Sequence, residues 1–185
     1  MKKILMLGFV LALTGCSNSE QSNTDSKLDK KETKANMENG KWEIIESKDE
    51  MRNITTRWVA LRSENNADLR FPYDGDNKLQ LDILGSKNND PTIYLTIDKG
   101  QYDCADYGCY VAVKFGNSTI QNLTFQQYDA AGTNGKILIF TDNSKAFLEN
   151  IRNLGSLTIE LPFYSDGRRQ FKFDTSKFNE AERKI

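Results

Sequence analysis

Cys104 and Cys109 are the residues of this chain best spaced for chemistry, with four residues between them. Two thiols so placed can form a disulfide, a redox pair or half of a thiolate metal site. No His occurs anywhere in the 185 residues, and the third cysteine, Cys16, lies far upstream. If the chain is exported, the spacing predicts a disulfide, with the redox pair and the thiolate site as alternatives. Around the pair lies a polar, tyrosine-rich loop whose candidate binding residues are Gln101, Tyr102, Asp103, Asp106 and Tyr107, with Lys99 and Tyr110 beside them. Tyrosines present large contact area at small entropy cost, which suits recognition; the alternative is that they cover the end of a sheet.

Other constellations read more simply. Asp103 and Asp106 lack the spaced carboxylates of a calcium loop, and Asp74-x-Asp76 has Lys78 where a further ligand would stand. Gly132-Thr133-Asn134-Gly135-Lys136 imitates a phosphate loop without its spacing, so a hairpin turn is expected. Arg168-Arg169 reads as a solvated hairpin tip, with an anion or lipid-headgroup contact as the alternative. Phe71-Pro72-Tyr73 reads as a strand edge or entry packed on the core, with a ligand-facing aromatic step as the alternative. Without His, nucleophiles served by imidazole are excluded, and an enzyme would have to work with carboxylates alone. With 25 basic and 26 acidic residues the net charge is −1, which offers no basic field for nucleic acid. No metal, cofactor or catalytic residue is expected.

The first segment addresses the chain. Met-Lys-Lys, an apolar run from Ile4 to Leu13 and a small-residue exit make a secretory signal, too short to cross ~30 Å of hydrocarbon. Leu13-Thr14-Gly15-Cys16 resembles the bacterial lipobox, which implies a signal peptide over 1–15, cleavage before Cys16, and thioether lipidation and N-acylation of that residue. Two or more acyl chains anchor a protein stably, whereas one binds only marginally. Ser17, standing where an inner-membrane retention signal would place Asp, implies an outer-membrane location. Residues 16–41 are polar and contain no aromatic, a composition that cannot bury enough surface to order itself, and they read as a disordered tether.

The elements that must position the loop begin at Trp42. Apolar residues alternate with period two in Leu79, Leu81 and Ile83; in Ile93, Leu95 and Ile97; in Val111, Val113 and Phe115; in Leu157, Ile159, Leu161 and Phe163; and in Phe171 and Phe173. Further strands are expected over 42–47, 56–63, 119–125 and 136–140, separated by Gly, Asn, Asp and Pro turns. Ser144–Leu154 instead sets Phe147, Leu148, Ile151 and Leu154 on one helical face, with Asn143 or Ser144 as N-cap and Gly155 as stop. The expected fold is mainly β, an antiparallel β-sandwich over residues 42–178 with one amphipathic helix at about 144–154 between late strands, then a short polar tail over 179–185.

In order, Phe71-Pro72-Tyr73, Lys99-Gly100-Gln101 with Cys104 and Cys109, Val111 to Phe115, and Phe163-Tyr164 followed by Gly167 and Phe171 to Asp174 are spaced landmarks. With them, residues 42–175 resemble an uncharacterised envelope domain carried mostly by proteobacterial lipoproteins and exported proteins. The resemblance implies no activity. Similar proteins more often carry Arg-Phe-Asp where this chain has Lys114-Phe115-Gly116, so the acidic residue is missing here. Together these readings predict a non-catalytic, lipid-anchored envelope domain whose partners are the membrane, through Cys16, and an envelope protein. A carboxylate-dependent envelope hydrolase or transferase is the alternative.

Overall fold

The computed structural model describes residues 40–87, 91–105, 108–128 and 131–185. The mainly β expectation holds. The strands are β1 (Glu43–Asp49), β2 (Ile54–Arg62), β3 (Leu79–Leu84), β4 (Thr92–Ile97), β5 (Cys109–Phe115), β6 (Gln121–Tyr128), β7 (Ile137–Phe140), β8 (Ser156–Phe163) and β9 (Gly167–Asp174). All pair antiparallel in one sheet of order β1-β2-β3-β4-β7-β6-β5-β8-β9. Each period-two run in the sequence lies within one of these strands, because alternation is what a sheet with one buried face requires.

In place of two separately bonded sheets, one continuous sheet curls around a single core. The segment after β2 is stitched to the last strand: Glu64 N donates to Lys172 O at 2.7 Å, Lys172 N to Asn65 Oδ1 at 2.8 Å, and Asn65 Nδ2 to Gln170 O at 2.8 Å. The inner face carries Val59, Leu61, Leu81, Ile83, Leu95, Val111, Phe125, Ile159 and Phe171, all buried. Each such side chain contributes about 1.5–3 kcal/mol relative to exposure.

Helix α1 (Ser144–Leu154) lies where its periodicity predicts, between β7 and β8. Asn143 caps it by accepting from Ala146 N at 3.0 Å, and Gly155 ends it at φ +62°. Phe147, Leu148 and Ile151 are buried, and the ring of Phe147 meets Phe115 edge-on at 5.0 Å. Leu154 departs from the expected face and is exposed, since the last turn runs past the edge of the core.

Two expectations are corrected. The polar tail opens as a helix, α2 (Phe178–Glu182), whose Phe178 and Ala181 are buried. Phe178 packs on Trp42 at 4.9 Å between ring centroids, and Arg152 on α1 grips the Glu182 carboxylate with Nε at 3.1 Å and a terminal nitrogen at 2.6 Å. Five residues are too few to display a helical period in a sequence. Phe71-Pro72-Tyr73 belongs to the long β2–β3 connection and not to a strand: Phe71 is 88% exposed, the Phe71–Pro72 peptide is cis, and only Tyr73 rests on the core. Residues 131–136 form the expected turn between β6 and β7, with Lys136 N donating to Thr133 O. Arg168 and Arg169 open β9, but they are engaged: Arg168 pairs with Glu160 at 2.6 Å, and Arg169 donates to Asp68 O at 2.8 Å.

Candidate functional site

The cysteines form the expected disulfide, with Cα atoms 4.5 Å apart. Cys109 is buried at the start of β5, and Ala105 and Gly108 bridge across the small ring. Gly108 sits at φ +135°, where a Cβ would come within 3.2 Å of Phe125 O, so glycine closes the ring against β6.

The predicted binding loop divides. Gln101 and Asp103 are exposed, but their backbones are spent on β8 and the turn after it: Tyr164 N donates to Gln101 O at 2.9 Å, and Asp103 N to Pro162 O at 3.1 Å. Tyr102 is corrected from a surface anchor to a core residue. It is 4% exposed, bridges to Phe163 with ring centroids 5.3 Å apart, and donates its hydroxyl to Lys136 O at 3.2 Å. Burial pushes its phenol above the ordinary range. The loop base adds a rung to the sheet, so alternation turns Tyr102 inward. Asp106, Tyr107 and Cys16 lie outside the described residues.

A different surface gathers aromatic and polar groups. On the outer face of the sheet, register sets Ala60, Asp82, Tyr94 and Ile139 in one row, and Arg62, Gln80, Thr96, Ile137 and Tyr128 in the next. Trp58, opposite Leu84, leans diagonally toward the first row. Between them lies an open groove of about 300 Å³, with Asp82 among its lining residues and Trp58, Tyr94 and Tyr128 as its aromatic members. The rings of Tyr94 and Tyr128 meet edge-on at 67° with centroids 6.0 Å apart.

Asp82 is the anomaly. Although it stands on the outer face, it is only 8% exposed. Trp58 Nε1 donates to its Oδ1 at 2.9 Å, and Gln80 Nε2 donates to both oxygens at 2.9 and 3.1 Å. No Lys or Arg among the described residues pairs with it; the nearby Glu43, opposite Ala60 on β1, adds a further negative charge. Burial raises the carboxyl above the usual range, the two donors oppose the rise, and Glu43 adds to it. A carboxylate taken from water without a counter-ion is costly, and two neutral donors offset only part of that. Among the described residues no three His, Cys, Asp or Glu side chains converge as metal ligands.

The alternation that reveals the strands conceals this groove, because it assigns Gln80, Asp82, Tyr94 and Thr96 to a solvated face. The signal that could have found it is β7. Ile137-Leu138-Ile139-Phe140 is apolar at every position, which a strand with one wet face does not need. A search of protein families, curated proteins and solved structures finds nothing that matches this chain.

Proposed function

We propose that this chain is a lipid-anchored protein of the bacterial envelope, held in the outer membrane through Cys16, whose β-domain binds a ligand or partner without transforming it. The groove around Asp82 is its binding surface, in place of the stapled loop. What carries the reading is the nearly buried, unpaired carboxylate beneath Trp58, Tyr94 and Tyr128. Stability does not call for it, since an apolar or amide residue would sit in that row at less cost. Carboxylate catalysis fits less well. Glycoside hydrolysis places two carboxyl groups about 5–9.5 Å apart across the scissile bond. This groove holds Asp82 alone among its lining residues, with Glu43 set beyond Ala60.

A photo-crosslinking residue at Tyr128, which is 44% exposed on the groove wall, tests the assignment in intact cells against the same residue at Tyr110 on β5. The expected result is a discrete adduct from position 128 and none from 110. Adducts from 110 alone would place the binding surface beside the stapled loop.

A further inference from the structure

We propose that the groove is a site for an alkylammonium group, seated over Asp82 between the rings of Trp58, Tyr94 and Tyr128. This rests on the groove being the binding surface and adds the chemistry of its ligand.

Three observations converge on a cation. First, among the described residues the Asp82 carboxylate is the only formal charge lining the groove, and Glu43 in the same row adds to its field. Arg62, opposite Gln80 on β2, is held by Asp98 at 2.5 Å and contacts Gln80 Oε1 at 3.4 Å, so it does not neutralise Asp82. Second, the donors nearest the carboxylate are already spent on it. The Trp58 indole N–H and the Gln80 amide both point at Asp82, which leaves the hydroxyls of Tyr94, Tyr128 and Thr96 and the ring surfaces to a ligand. None of these groups supplies a positive charge, so a ligand that brings one gains the attraction of the carboxylate. Third, apart from Gln80 and Thr96 the rest of the wall is aromatic and aliphatic, with Ile137 and Leu84 beside the three rings. Ring faces attract cations, and more strongly where water is excluded.

A hard metal ion does not fit this wall, because Ca²⁺ needs about six to eight oxygen ligands and Mg²⁺ about six. An organic cation does, since its charge is diffuse and its methyl or methylene groups bury against rings. The groove's volume of about 300 Å³ matches a small ligand.

The test uses the full chain in detergent micelles and reads the two indole N–H resonances, assigned with Trp58→Phe. Choline and 3,3-dimethylbutan-1-ol have the same shape and differ in charge. Choline is expected to shift the Trp58 resonance saturably and to leave that of Trp42 in place, and the neutral isostere to bind at least tenfold more weakly. Asp82→Asn should weaken choline at least tenfold. Tyr94→Leu, which keeps apolar contact without the ring, should weaken it about tenfold and guards against an Asp82 variant that fails to fold. Equal binding of the isostere, unchanged binding in both variants, or a Trp58 shift with N-acetylglucosamine and not with choline would overturn the proposal. If choline fails while the position-128 adduct forms in cells, the cation assignment falls and the groove stands; if both fail, both fall.

Discussion

Burial of Asp82 sets stability against charge at a single side chain. Its carboxyl is raised in the folded chain by desolvation, above the value of about 3.9 expected when unfolded. Between those two values the folded state binds more protons than the unfolded state, so this group's contribution to stability is lost as pH rises. Facing it are Glu43 on β1, Tyr94 on β4 and, through Gln80, Arg62 on β2. Asp82→Asn removes the charge and should raise unfolding stability at pH 7 by about 1 kcal/mol, with the difference vanishing below pH 4. Denaturant midpoints for both proteins across that range check this, and a less stable variant at pH 7 would show that the charged form is a structural necessity. Tyr102 is the opposite case. Its ring fills the core beside Phe163, so Tyr102→Ala should cost about 3–5 kcal/mol, whereas Tyr102→Phe should lose about 1 kcal/mol with the Lys136 hydrogen bond. Equal, small effects of both changes on the thermal midpoint would return Tyr102 to the surface.

Two small elements close the sheet. The Cys104–Cys109 ring joins the β4–β5 connection to the first residue of β5, and by loop entropy should contribute about 2 kcal/mol. Reduction should lower the midpoint without dissolving the β signal in circular dichroism; loss of that signal would mean that the ring nucleates the sheet. Helix α2 is docked by Phe178 on Trp42 and by the two-pronged contact of Arg152 with Glu182. Glu182→Gln should cost about 1–2 kcal/mol, since the charge-assisted bonds are half-buried. In the native chain burial pushes the Glu182 carboxyl up, but Arg152, Ser86 and Lys87 together outweigh it and hold the group below its usual range. That stability is therefore present above the unfolded value and lost as pH falls through the lowered one. A variant as stable as the parent at pH 7 would contradict the docking role. The strands and α1 were legible because each announces itself over four to eleven consecutive residues. Helix α2 was not, because Phe178 and Ala181 are the only apolar residues in it, and their partners Trp42 and Arg152 are distant in sequence. Nor was the groove, since Asp82 meets Trp58 from 24 residues away and only the strand order brings β6 and β7 beside β4.

For the whole molecule, the proposal joins an anchor and a face. If acyl chains on Cys16 hold the protein, Cys16→Ser should leave it uncleaved or soluble and abolish partitioning into a detergent phase. Retention of the variant with lipid after alkaline washing would defeat the anchor. The curled sheet then offers two outer surfaces. One, over β5, β8 and β9, is polar and internally paired through Glu160, Arg168 and Gln170; the other, over β2, β3, β4, β7 and β6, is aromatic around the unpaired carboxylate of Asp82. That asymmetry makes Asp82 the determinant of binding, and the yield of the in-cell adduct from position 128 with and without Asp82→Asn measures it. The substitution is expected to remove the adduct while the thermal midpoint stays level or rises. An undiminished adduct, or an adduct lost together with a large fall in midpoint, would contradict it.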